Sequence, residues 1–144
     1  MALSGSSEAN GKKNVTLDRA QTVIEAALRK AADIGVPMNV AVVDEGGNLK
    51  SFVRMDKAWL GSIQIAQDKA WTARAFDMTT KELAAISQPE DPAFGIHTTN
   101  GGHVVVFPGG IPLKDGDEVV GAIGVSGGQP DQDHEVAEAG AAAF

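Results

Sequence analysis

Val40-Ala41-Val42-Val43-Asp44-Glu45-Gly46-Gly47-Asn48-Leu49 carries an unbroken apolar run into a turn of acidic, glycine and asparagine residues. From Met38 to Asp44 no helical period survives, and a near-continuous apolar run predicts a strand covered on both faces. Glu45-Gly46-Gly47-Asn48 supplies residues that tolerate positive φ, so the chain reverses in a tight hairpin and returns through Leu49 to Met55. A connection this short leaves no room for a helical crossover. The sheet is therefore expected to be antiparallel rather than doubly wound and parallel.

Upstream, Leu17, Ala20, Ile24, Ala27, Leu28 and Ala31 recur at helical spacing behind a Thr16 N-cap, until Gly35 and Pro37 stop the pattern. Downstream, Ser62 opens a second helix with Ile63, Ala66, Ala70 and Ala73 as its buried stripe, and Ile65, Lys69, Thr72 and Phe76 on the adjoining face. Thr79-Thr80-Lys81-Glu82 has the spacing of a capping box, which predicts a short helix ending before Pro89. A long irregular loop, Glu90 to Gly102, follows; loops of this length in small domains tend to carry function or an interface. Val104–Phe107 reads as a strand, Pro108-Gly109-Gly110 as a turn, and Ile111–Lys114 as a strand that Asp115-Gly116 reverses into Glu118–Ser126. Pro130 opens a last helix, with acidic residues where its dipole favours negative charge. The order predicts an α+β fold: a five-stranded antiparallel sheet with helices packed on it, a sandwich of the profilin or PAS kind.

A chain of 144 residues that is 43% hydrophobic suits one globular domain, taken as 15–144 behind a disordered tail at 1–14. The absence of cysteine removes disulfides and thiolate chemistry together. A net charge of −7 without a basic cluster argues against nucleic acid and anionic membranes as partners. The first residues lack the apolar core of an export signal, so a cytoplasmic location is expected, and no run is long enough to span a bilayer.

Several blocks together resemble the GlcG/HbpS-like family, also met as the C-terminal domain of PduO-type corrinoid adenosyltransferase proteins. They are Val40 to Leu49, Arg54-Met55-Asp56, Lys69-Ala70-Trp71-Thr72-Ala73, Pro108-Gly109-Gly110-Ile111-Pro112-Leu113, and Val120 to Gly128 followed by Asp131-Gln132-Asp133. The likeness runs from about Val15 to Phe144. It implies an α/β sandwich with an antiparallel sheet, assembly into dimers or larger homo-oligomers and, in some members, haem binding.

The chemistry-bearing residues are read beside that likeness. His97 lies in the long loop and His103 just before a valine run; imidazoles there can ligate haem or a non-haem metal, or act as acid and base. Phe94, Ile96, Met55, Trp59 and Phe107 can build an apolar slot. Thr98-Thr99-Asn100-Gly101-Gly102 offers hydroxyls, an amide and backbone N–H groups to an anionic group such as a carboxylate. Arg54 can grip a carboxylate in bidentate fashion or pair with Asp56 or Asp44. Lys69 either points under the sheet edge or snorkels to solvent. Gly124 to Gly128 leads from strand to helix but lacks both phosphate-loop spacings. Asp131, Asp133, His134, Glu135 and Glu138 form an acidic helix start that either attracts a cation or complements the dipole.

Two readings result. The first is a homo-oligomeric small-ligand-binding protein, with haem or another tetrapyrrole held by His97, Phe94, Arg54, Met55 and the Thr98–Gly101 run, His97 being the metal ligand. The second is a cofactor-independent isomerase, lyase or dehydratase for a small carboxylated substrate, with Arg54 and Asn100 holding the carboxylate and His97 moving the proton, and with His103, Lys69 and Asp131 as the other catalytic candidates. Both place the site between the Glu90–Gly102 loop and the Arg54–Leu60 segment.

Overall fold

A computed structural model describes residues 14–144; the expected tail lies, but for Asn14, outside the described residues. Helix α1 spans Leu17–Ile34, with Thr16 Oγ1 accepting the Arg19 N–H at 3.2 Å. Gly35 at φ 70° ends it in the left-handed conformation, and Val36 N–H closes onto the Ala31 carbonyl. Ala20, Val23, Ile24, Ala27 and Ala31 form its buried stripe. Strand β1, Asn39–Val43, is buried at every position, and β2 is Leu49–Arg54. In the turn between them, Asp44 Oδ1 accepts the Gly46 and Asn48 N–H groups, each at 3.0 Å.

Helix α2 spans Gly61–Phe76 and α3 Thr80–Ala85; Thr79 and Glu82 complete the capping box that the sequence predicts. Two single-turn 3-10 segments, Ile96–Thr98 and Asn100–Gly102, interrupt the long loop. Strand β3 is Gly110–Asp115, β4 is Glu118–Ser126, and helix α4 runs Pro130–Ala142 with Pro130 in its first turn.

The sheet is antiparallel in the order β2-β1-β4-β3, with Val42 opposite Ile123 and Ile111 opposite Ile123 on its other side. It has four strands and not five. The Val104–Phe107 run does not pair: the Val105 N–H donates to Thr72 Oγ1 at 3.0 Å, and the same hydroxyl lies 3.1 Å from the His103 carbonyl. These bonds strap the segment to α2 on either side of Val104, which is buried. Its apolar character serves packing rather than a strand ladder.

Helices α1 and α4 cover one face of the sheet, with Val40, Val42, Ile123 and Val125 facing Val23, Ile24 and Val136. Helix α2 covers the other, where the contact residues shrink to Ala41, Ala122, Ala66, Ala70 and Ala73. Small residues let the helix approach closely. A β-carbon at Gly124 would collide with the Ala66 carbonyl oxygen, and one at Gly110 with the Lys69 carbonyl oxygen. Gly110 and Gly124 are thus explained by a helix lying against the sheet backbone. Ile63, expected in the α2 stripe, is only half-buried, whereas Ser62, Lys69 and Thr72 are buried.

Candidate functional site

His97 sits on the 3-10 turn Ile96–Thr98 with its side chain exposed. The Phe94 ring approaches it edge-on, with centroids 6.4 Å apart at 67°. Phe94 is itself 58% exposed, and the Ala93 N–H bond to the Ile86 carbonyl brings exposed Ile86 to the same stretch. An imidazole beside uncovered apolar side chains is the donor set that an iron porphyrin requires of a protein: one nitrogen and apolar surface.

The polar run after His97 is occupied with itself. Thr98 and Thr99 hydroxyls donate to the Gly95 and Ile96 carbonyls, each at 2.7 Å, and Asn100 Nδ2 donates to Thr99 Oγ1 at 3.0 Å. Asn100, Gly101 and Gly102 all take positive φ, so this run forms a compact turn.

Arg54 lies exposed at the end of β2, opposite Asn39. Met55 turns inward: it packs on the core, and its sulfur accepts the Met38 N–H at 3.3 Å. The cavity beside the Arg54–Leu60 segment, about 280 Å³, is lined by Lys57, Ala58 and Trp59 with Val36, Pro37 and Gly127–Gln132 residues. None of its lining comes from the Glu90–Gly102 loop. Within one subunit, Arg54 and His97 are not brought into a common cavity among the described pockets.

Lys69 does not snorkel. It is 1% exposed, and its Nζ donates to the Val125 carbonyl at 2.9 Å and to Asp133 Oδ2 at 2.8 Å. Asp133 Oδ1 accepts the Gly128 N–H at 2.8 Å, so the pair ties α2 to the end of β4 and the start of α4. Burial pushes the Lys69 ammonium below its ordinary value and the Asp133 carboxyl above it; their mutual attraction opposes both shifts. With no surface open to a substrate, this pair reads as a strut. The sequence reading places Asp133 in an acidic helix start and not opposite Lys69, although Asp133, Val136, Ala137 and Gly140 share the buried face of α4 at helical spacing.

The other acidic residues scatter. Asp131 is exposed, Glu135 pairs with Lys30 at 3.1 Å, and His134 Nε2 lies 3.6 Å from Glu138. Among the described residues no group of three or more histidine, aspartate or glutamate side chains is arranged to hold a metal ion. His103 stands apart from His97: its Nδ1 is 3.1 Å from Asp68 Oδ1, and its ring lies 5.8 Å from that of Trp71. Asp68 and Trp71 carry no local signal for this, because the partners are separated by more than thirty positions.

The sequence profile described as "haem degrading protein HbpS-like" matches residues 15–142. A 15.0 kDa protein from the dhaT-dhaS intergenic region of Citrobacter freundii is 40% identical over 124 residues, covering 86% of this chain and 87% of that one. The crystal structure of Klebsiella pneumoniae protein ORFY superposes with a TM-score of 0.89 at 36% identity, over 92% of this chain and 91% of that one. A crystal structure of a PduOC:heme complex superposes at 0.85 with 35% identity, over 88% and 92%.

Proposed function

This chain belongs to the HbpS-like family, and from that premise we propose that it is a small-ligand-binding protein that takes haem or a related tetrapyrrole and works as a homo-oligomer. The observation that carries the reading is His97, presented on a short turn with Phe94 edge-on beside it. That a relative of 35% identity has been crystallised as a haem complex supports the choice of ligand.

His97 would hold the haem iron through an imidazole nitrogen, and Phe94 would cover part of the macrocycle. Haem, when bound, supplies an iron centre for redox and oxygen chemistry. This chain supplies a ligand nitrogen, apolar surface and exclusion of water from one side. Because His97 and Phe94 are exposed, one subunit offers only part of an enclosure, and a second copy laid over this loop would shut the remainder. That favours an oligomer over a monomer as the working form. Arg54, outside this loop, is available to a propionate only if a neighbouring subunit brings it there. A cytoplasmic setting is part of the same proposal. None of the described helices is long and apolar enough to cross a membrane.

Titrating the full chain with haem tests the proposal. A Soret band that grows to a stoichiometric plateau, accompanied by sedimentation as an oligomer, is the expected result. Absorbance that rises without saturation, as free haem in buffer does, would remove haem from the reading.

A further inference from the structure

A second region, away from His97, combines a cleft with an oriented imidazole. The cleft, about 320 Å³, lies between the β1–β2 turn and α2. The turn contributes Gly47 and Asn48; α2 contributes Gln64, Asp68 and Trp71; and His103 completes the lining. We propose that this cleft binds a small neutral polyhydroxylated molecule, a sugar or polyol, with His103 and Asp68 as its principal hydrogen-bonding groups.

The imidazole is placed from two directions. The His103 backbone is fixed on α2 by the Thr72 hydroxyl at its carbonyl, and its N–H donates to the Asn100 carbonyl. Its ring Nδ1 lies 3.1 Å from Asp68 Oδ1, and the same oxygen accepts a hydrogen bond from Gln64 Nε2, one helical turn away, at 2.9 Å. With Nδ1 engaged by Asp68, the ring's other nitrogen, Nε2, is the one left for a ligand hydroxyl. The indole of Trp71 forms the wall joining the two sides. Gly47 lies directly on its pyrrole edge, at φ 76°, where a β-carbon would come within 3.0 Å of Cδ1.

The lining selects the ligand's charge. It contains no lysine or arginine, so an anion has no cationic partner, and Asp68 repels one. One carboxylate and one imidazole are too few to hold a metal ion, in keeping with the lack of any three-residue donor group among the described residues. Amides, a carboxylate and an imidazole beside an indole wall match hydroxyl groups, which both donate and accept, on a carbon skeleton that packs against the ring. The volume lies at the lower end of the roughly 300–1,000 Å³ common for ligand pockets, which limits the occupant to a small molecule.

Glycerol, D-ribose and D-glucose, titrated separately into isotope-labelled full chain and followed by NMR, test the assignment. At least one should cause saturable shifts confined to Gly47, Asp68, the Trp71 indole N–H and the His103 ring. Asp68→Ala should weaken it by about tenfold or more, as expected for losing a hydrogen bond to a charged group. His103→Ala, at a half-exposed side chain whose loss leaves the core untouched, should do the same and guards against a folding defect in the first variant. Absence of saturable shifts with all three compounds overturns the proposal. So do shifts spread evenly over the surface that persist in His103→Ala, which would mark a solvent effect.

Discussion

The two faces of the sheet are built by opposite means. Against α1 and α4 the strands present Val40, Val42, Ile123 and Val125, and the layer is filled by branched aliphatic volume. Against α2 they present Ala41, Ala122 and Gly124, and the helix backbone comes close enough that almost no side chain fits. The first face gains stability from apolar area. The second gives up area for proximity and must then satisfy the polar groups it buries, which it does through the Lys69–Asp133 pair and the Ser62–Ser126 hydroxyl contact at 3.1 Å. The groups of the proposed polyol cleft belong to the α2 side: Asp68 and Trp71 are on that helix, and His103 is strapped to it. A helix that cannot shift on its sheet is a rigid platform for them.

That contrast is most easily broken at the buried ion pair. Lys69→Met leaves Asp133 with only backbone donors, and Asp133→Leu leaves an ammonium without its anion; each should cost about 3–5 kcal/mol in denaturant unfolding. The double variant should recover much of that loss. Equal destabilisation by both singles and the double would mean that the pair contributes as packing and not as a matched charge.

Gly124 sharpens the comparison. Gly124→Ala places a methyl group against the Ala66 carbonyl oxygen, and should cost about 1–3 kcal/mol as helix and sheet are forced apart. Heat or denaturant unfolding would measure it. An unchanged stability would show that α2 can slide, and with it the platform argument would fail.

The smallest effect lies outside both faces, in the capping box of α3. Thr79→Ala should remove about 1 kcal/mol. Hydrogen bonds from Thr79 hold the Glu82 carboxyl below the usual carboxylate range. Since the folded value is depressed, the contribution is present above the ordinary glutamate pKa and is lost as pH falls through the lower, folded one. A Glu82→Gln variant, which lacks the titrating carboxylate that accepts the Thr79 backbone N–H, should therefore converge with the parent chain in stability at acidic pH, as unfolding at a series of pH values would reveal.

What could be read from sequence was local. The Asp44–Leu49 hairpin, the Thr16 cap, the Thr79 box and the Gly35 stop each depend on residues within a few positions of one another, and all four are present. The Val104–Phe107 run misled because an apolar segment looks the same whether it pairs with a strand or packs on a helix; the hydroxyl that decides the matter, on Thr72, is thirty-three residues from Val105. Family blocks pointed to the sandwich and to haem, yet Gly110 and Gly124 within them answer to helix packing. His97 was legible as a loop histidine beside Phe94. The pairing of His103 with Asp68 was not, because only the path of the chain over α2 creates it.

The central claim is that His97 holds the iron, and the Soret spectrum of the haem-loaded chain, recorded for the parent and for His97→Ala at matched stoichiometry, tests it most directly. The account predicts a displaced and weakened band in the variant, with partial return on adding free imidazole. Superimposable spectra would contradict it and assign the ligand elsewhere.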